Sequence, residues 1–285
     1  MPVKGNILVC SICDREQAQI NFVNCEYCGS ELGAPNVNIV STEIELDALQ
    51  QRYDAAIDYA SKNGVENTLT NFHEFFTKNV NAIINLKLPV LKAWVVNNDA
   101  YKNYHRAVED GNRLIATLKD DQRRTVIDSV FHGSYGRDIV YAALTLNEKG
   151  LISYGECSII INEDAIKLRA STLEENSFSF IKAHNLNLEK LTIPAGFRSN
   201  WENKIKLAVA KLYQKIRNDD KNEFCRFVLF SDGNRETDDF IEVHIYKEIT
   251  SLAIKQIYIP KPKGTKDKLF VKAIEQRCLG KVSIT

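Results

Sequence analysis

Four cysteines within the first 28 residues constrain this chain more than any other feature: Cys10-Ser11-Ile12-Cys13, then eleven residues, then Cys25-Glu26-Tyr27-Cys28-Gly29. Two CxxC pairs present four thiolates in two tight knuckles. A tetrahedral zinc ion bound by Cys10, Cys13, Cys25 and Cys28 would close them into a unit too small to bury a core of its own. Four sulfur ligands leave no open coordination position, so the expected zinc is structural rather than catalytic. The chain holds seven cysteines, an odd number, and four at ligand spacing fit a reducing compartment better than a disulfide framework. Phe22 and Tyr27 are the only aromatic residues of the segment, too few for a base-stacking platform.

The cysteine pattern resembles zinc ribbons, whose uses run from nucleic-acid contact to protein docking to scaffolding, and it does not choose among them. The 285 residues carry 37 basic and 37 acidic side chains, so bulk charge gives no sign of a strongly cationic, phosphate-binding surface. No apolar run approaches the roughly 18 to 20 residues of a membrane span, and Met1-Pro2-Val3-Lys4-Gly5 does not open a signal peptide. The expectation is a soluble cytoplasmic protein without a membrane partner.

Gly33-Ala34-Pro35-Asn36 reads as a linker. From Thr42 the periodicity becomes helical, with Ile44, Leu49, Tyr53, Ile57 and Ala60 on one face up to Asn63-Gly64. A second helix is expected over Thr68 to Leu86, ended by Pro89, and further helices over Val90 to Val96, Asp99 to Glu109, and up to Val130. His73 and His105 have no partner at ligand spacing and read as surface or packing residues. After Val130 the texture turns to strands: Asp138 to Leu146, a hairpin turn at Asn147-Glu148-Lys149-Gly150, Cys157 to Ile161, Phe224 to Phe230, Phe240 to Tyr246 and Ile257 to Ile259. An amphipathic helix falls between Asn200 and Arg217. The expected fold is α+β: a zinc ribbon over 1–36, a helical region over 37–129, and a mixed or antiparallel β-sheet domain over 130–285.

Within the strand Phe240-Ile241-Glu242-Val243-His244-Ile245-Tyr246, one carboxylate stands in an apolar run. Alternation places it either on the solvent face of an amphipathic strand or in a site. This block is similar to the last conserved block of ADP-ribosyltransferase-like domains, in which that glutamate is catalytic. The resemblance extends over Asp128 to Pro260. In the family an early strand supplies an arginine or histidine that holds NAD, a middle strand Ser-Thr or Tyr, and a late strand the glutamate. Here the first place offers Phe131-His132-Gly133-Ser134-Tyr135-Gly136-Arg137, the second Arg169-Ala170-Ser171-Thr172, and the third Ile241-Glu242-Val243.

The resemblance implies an NAD-dependent transferase, in the setting of a bacterial toxin or defence effector, with a macromolecular acceptor and a possible regulatory partner protein. Glu242 would be the catalytic residue and Arg137 or His132 the NAD anchor. Ser171 and Thr172 would support the site, and Tyr154 would stack on nicotinamide. Arg137 is favoured over His132 because Ser171-Thr172 matches the version that pairs with arginine. The segment from Arg169 to Ser177 also reads as a turn and helix cap, since Ser, Thr and Asn satisfy free backbone donors. Arginine-modifying members carry a second glutamate two residues before the catalytic one, and here that position is Phe240, which leaves nucleic acid or another protein side chain as acceptor. The alternative is a non-catalytic zinc-ribbon adaptor that binds nucleic acid or a partner protein. Phosphate loops, HExxH and GxSxG motifs are absent from the sequence. Asp232-Gly233-Asn234-Arg235-Glu236 reads as a turn and Cys157 and Cys225 as buried strand residues.

Overall fold

The computed structural model describes residues 3–4, 6–97, 100–111, 119–187 and 192–285, with the side chains of 3–4 and 119–124 excepted. Met1, Pro2 and Gly5, where a signal peptide was judged absent, lie outside the described residues, as does Asp99, the expected start of a helix.

The chain opens with a short hairpin of β1 (Val3–Lys4) and β2 (Ile7–Leu8), then two cysteine knuckles. In each knuckle the first cysteine carbonyl accepts the amide four residues on: Asp14 on Cys10 and Gly29 on Cys25, both at 2.9 Å. Both turns end with positive φ, 54° at Asp14 and 72° at Gly29, where asparagine-like or glycine residues are tolerated. Leu8, Cys10, Cys25 and Leu32 form the small core of this unit.

There follow α1 (Pro35–Val40), α2 (Glu43–Lys62), α3 (Glu66–Asn79), β3 (Asn81–Leu86), α4 (Leu88–Val96), α5 (Tyr104–Glu109), α6 (Lys119–His132) and a 3₁₀ turn over Gly133–Asp138. The chain continues through β4 (Ile139–Thr145), β5 (Cys157–Ile161), β6 (Ala170–Leu173), α7 (Ser177–Ala183), β7 (Arg198–Asn200), α8 (Lys204–Leu212) and α9 (Lys221–Val228). It ends with β8 (Leu229–Phe230), β9 (Asp239–Phe240), β10 (Glu242–Tyr246), β11 (Ile254–Ile259), α10 (Thr265–Arg277) and β12 (Val282–Ile284). Among the described residues, one eight-stranded sheet runs in the order β12-β11-β5-β3-β4-β10-β6-β7. All its neighbours are antiparallel except β11 and β12.

The two faces of the sheet differ. Ile84, Val140, Ala142, Ile159, Val243 and Ile245 share one core with the apolar sides of α2, α3, α4, α8, α9 and α10. Phe72 of α3 meets Phe224 of α9 edge-on at 5.2 Å, and burying each such ring stabilises by about 1.5–3 kcal/mol. On the other face the ribbon and α1 dock on the 3₁₀ turn and on Ile139 and Tyr246, through Val23, Ala34 and Val37. Asn36 pins that contact by donating to the Arg169 carbonyl at 3.3 Å, Ser171 Oγ at 3.0 Å and the His244 carbonyl at 3.0 Å.

The α+β class and the helices α2, α4 and α8 follow the sequence expectation, as do strands β4, β5 and β11; several details do not. Residues 33–36 are not a free linker: Pro35 starts α1 and Asn36 is buried. The helix expected to reach Leu86 stops at Asn79, because Val80 turns extended and Asn81–Leu86 is a fully internal strand. A run apolar on both sides suits a strand covered on both faces as well as a helix. Phe224–Phe230 is mostly helix: Asp220 caps α9 by accepting the Asn222 amide at 2.8 Å, and Cys225 therefore lies on a helix. Asn147–Gly150 makes no hairpin, since β3 lies between β4 and β5. Ile44 points to solvent. The strand expected from Phe240 to Tyr246 divides at Ile241, its first part pairing with β8 and its second with β4 and β6. The sheet thus draws strands from both sides of residue 130. Among the described residues no helix is long and apolar enough to cross a membrane.

Candidate functional site

Glu242 is the first residue of β10, opposite Ala143 of β4 and Leu173 of β6. Alternation puts Glu242 and His244 on the sheet face away from the main helical core, together with Tyr141 and Ser171, which oppose His244. The turn after β6 brings Asn176 and Ser177 over this face at the start of α7, with Asn176 capping the helix through the Phe178 amide. Asn176 Nδ2 donates to Glu242 Oε2 at 2.8 Å. Ser177 Oγ donates to Oε1, and His244 Nε2 lies 2.8 Å from the same oxygen.

The network continues inward. The His244 ring stands edge-on to His132, with centroids 4.8 Å apart, and to Tyr141 at 5.2 Å. Tyr141 donates its hydroxyl proton to Asp128 Oδ1 at 2.5 Å, and His105 Nε2 is 3.0 Å from Asp128 Oδ2. Five elements therefore meet at two carboxylates, each bonded to a histidine: α5 gives His105, α6 gives Asp128 and His132, β4 gives Tyr141, β10 gives Glu242 and His244, and α7 closes the end. Glu242, His244 and Asp128 are each 2% exposed and His132 is 5%. A buried carboxylate needs such partners, because desolvation without them costs several kcal/mol, on the order of a lost ion pair.

The geometry limits the chemistry. Ser177 donates to the carboxylate itself, so this is not a serine–histidine relay, in which the imidazole would take the hydroxyl proton. Glu242 is arranged to accept hydrogen bonds and to stabilise positive charge in a water-poor setting.

The sequence candidates divide. His132, Ser171 and Glu242 come to one sheet face, His132 through ring contact with His244 and Ser171 beside His244 on β6. Thr172 points to the other face, where its hydroxyl meets Ser199 Oγ at 2.6 Å. Arg137 lies before β4 at the Tyr246 end, about 13 Å or more along the strand from Glu242 at roughly 3.3 Å per residue. Its guanidinium is largely exposed and pairs with Glu109 at 3.0 Å. Tyr154 borders a small cluster around Ile83, Ala143 and Phe240, with the Arg235 guanidinium 4.5 Å above its ring. Asn176, Ser177, His244, Tyr141, Asp128 and His105 were not singled out for the site from sequence. His244 had one usable signal, its i+2 position from Glu242, which places both on one strand face. The Asp232 turn forms as expected, with Asp232 accepting the Asn234 amide at 2.9 Å. Burial pushes the Cys157 thiol up to about 12, as befits a small apolar residue rather than a nucleophile.

One cavity of about 430 Å³ borders the centre, lined in part by Asn176, Asp238 and Phe240. At the ribbon, the Sγ atoms of Cys10, Cys13, Cys25 and Cys28 all lie within 4.8 Å of one another, and the set could hold a metal ion. The Ile12 and Tyr27 amides point at the Cys10 and Cys25 sulfurs, both at 3.4 Å. The Ser30 hydroxyl, then the amides of Ile12 and Cys13, draw the Cys10 thiol down to about 6, whereas at Cys13, against the Arg15 amide that favours its thiolate, desolvation and the three neighbouring thiols push the thiol up to about 12. A scan against protein-family models and a search of curated proteins found no match to this chain.

Proposed function

We propose that this chain is an NAD-dependent ADP-ribosyltransferase acting on a macromolecular acceptor, nucleic acid or protein, with Glu242 as its catalytic carboxylate and zinc in the four-cysteine ribbon. The observation that carries the reading is the hydrogen-bonded suspension of Glu242 between Asn176, Ser177 and His244 on the sheet face that also holds Ser171 and His132. His132, rather than Arg137, is the NAD-side residue in this reading, because only His132 belongs to the cluster.

Asn176 lines the neighbouring cavity and bonds Glu242 Oε2, so exchanging its amide for the ribose 2′-hydroxyl gives the substrate its route to the carboxylate. The bond between ribose C1′ and the nicotinamide nitrogen then breaks, and its electron pair leaves with nicotinamide. Glu242 stabilises the oxocarbenium-like state. A lone pair of the acceptor forms the new bond to C1′, and the acceptor's proton passes to solvent. Four sulfurs suit zinc in its closed, structural form, where tetrahedral Zn–S bonds of about 2.3 Å set sulfurs roughly 3.8 Å apart; two sulfur pairs lie 3.6 Å apart.

The test is nicotinamide release from NAD, in a lysate supplying acceptors, by wild type and by Glu242→Gln at a temperature where both are folded and zinc-loaded. A fall of about 10²–10³ with NAD binding retained is expected. Absence of turnover in both proteins, with no NAD binding at millimolar cofactor, would move the conclusion to the second reading, a non-catalytic zinc-ribbon adaptor. The observation favouring that reading is that Glu242 is saturated by internal donors and buried.

A further inference from the structure

The equal totals of 37 basic and 37 acidic side chains conceal a segregation. From Lys261 to Lys281, through the loop after β11 and along α10, seven lysines and arginines stand against Asp267 and Glu275. That surplus of five positive charges is balanced only by the rest of the chain, with 30 basic against 35 acidic residues. Six of the seven are exposed, and among the described residues none of the seven has an ion pair. Cations elsewhere, such as Arg106, Lys204, Lys211 and Lys247, sit on carboxylates. Helix α4, which packs on α10, contains no acid and adds Lys92. Lys92 and Lys266 stand 5.9 and 5.6 Å from the centre of the Phe270 ring, so the two helices share one cationic surface.

The composition of this surface decides what kind of anion it suits. Lys268 and Lys272 are one helical turn apart, and like charges at that spacing disfavour a helix until an anion lies between them. The apolar side of α10, Val271 and Ile274, is buried in the core, and Leu269 is the only exposed large apolar side chain of the helix. A protein interface needs apolar anchors at its centre, and a lipid surface needs an apolar face to insert. The outward side of α10 offers neither. Lysine is a flexible point charge rather than a fork, so a row of lysines reads charge density. A sugar-phosphate backbone supplies that density, at one charge per roughly 1.7 Å of duplex.

We propose that the α10 surface binds the phosphate backbone of a nucleic acid, without base specificity, through Lys261, Lys263, Lys266, Lys268 and Lys272. Single strands and duplexes share this chemistry. The binding stands whether or not the Glu242 centre cleaves NAD. Where it does, a consequence that rests on that reading follows: the acceptor is nucleic acid rather than protein.

Fluorescence anisotropy of the full, zinc-loaded chain, without NAD, tests it with a labelled single strand of about 20 nucleotides and with the matching duplex, both of mixed sequence. Saturable binding is expected. The logarithm of affinity should fall against the logarithm of salt with a slope of about −3 to −4.5, from four or five phosphate contacts, a loss on the order of a hundredfold between roughly 50 and 200 mM. The double variant Lys268→Gln, Lys272→Gln should flatten the slope by about 1.5, as should Lys261→Gln, Lys263→Gln. All four side chains are exposed, so folding is not at stake, and Lys78→Gln on α3 should change nothing. The tighter oligonucleotide names the strand state. An unchanged slope in both double variants, equal displacement by polyglutamate of matched charge, tighter binding to phosphatidylserine vesicles, or no saturable binding at low salt would each overturn the proposal. Binding without any nicotinamide release in the separate NAD assay would keep this surface and remove the transferase.

Discussion

Replacing Glu242 with glutamine keeps the side chain's shape and reverses one polar atom, so its cost can be worked out contact by contact. Ser177 and His244 both meet Oε1, which glutamine can keep as its carbonyl, although the two bonds lose their charge assistance. Oε2 becomes an NH₂ group facing the Asn176 amide across 2.8 Å, two donors with no acceptor between them. Flipping the glutamine puts its NH₂ against Ser177 and His244 instead. Flipping Asn176 removes the oxygen that caps α7 through the Phe178 amide, at about 1 kcal/mol. One charge-assisted bond lost and two weakened sum to about 3 kcal/mol. At roughly 2–4 °C per kcal/mol for a chain of this size class, thermal unfolding should fall by about 6–12 °C. Differential scanning calorimetry of the zinc-loaded protein reads this directly. The double variant Glu242→Gln, Asn176→Ala removes the opposed donors and should be less destabilised than the two singles together by about 1 kcal/mol. Melting of Glu242→Gln within about 2 °C of wild type, with additive singles, would refute the bonding scheme at this carboxylate.

Gly196 supplies a second prediction. Its φ is +83°, and an added Cβ would sit 2.7 Å from the Ala48 carbonyl carbon of α2, with its amide also bonded to Glu45 Oε2 at 2.9 Å. Gly196→Ala should cost about 2–4 kcal/mol from left-handed strain and backbone overpacking, visible in chemical denaturation as a shifted midpoint with unchanged slope. A third concerns the ribbon: elemental analysis should find about one zinc per chain, lost in Cys25→Ser, and chelation should lower the melting temperature because the ribbon docks on the 3₁₀ turn and on Tyr246.

What the sequence disclosed tracks how local each signal is. The CxxC knuckles are complete within four residues, and their metal-ligand geometry is visible without the rest of the chain. Glu242 stood out through the resemblance of its block, because alternation alone allows one acid on the solvent face of a strand as readily as in a site. His132 and Ser171 required order along the chain. Two of the partners that hold Glu242 were hidden, because Asn176 and Ser177 look like an ordinary helix cap, and so was the second carboxylate, because Asp128 meets a histidine 23 residues away in the chain. The misreading of Asn81–Leu86 as helix came from a run buried on both faces, in which period carries no information. Arg137, directly before a strand, was favoured because Ser171-Thr172 matches the version of the motif that pairs with arginine. Only the register of β4 on β10 reveals that its position is at the opposite end from Glu242.

The strand order has a consequence for how the protein is made. β3 is synthesised early and lies beside β4 and β5, whereas β10, which separates β4 from β6, emerges late. While the chain is still on the ribosome, β4 waits with one bare edge, and the histidine and aspartate network has no floor until Tyr246 has cleared the exit tunnel. Such long-range pairing folds slowly and exposes sheet edges in the interim. A nascent or truncated chain ending before β10 would present the bare edge of β4 to chaperones, and the Glu242 centre cannot form before β10 has been made.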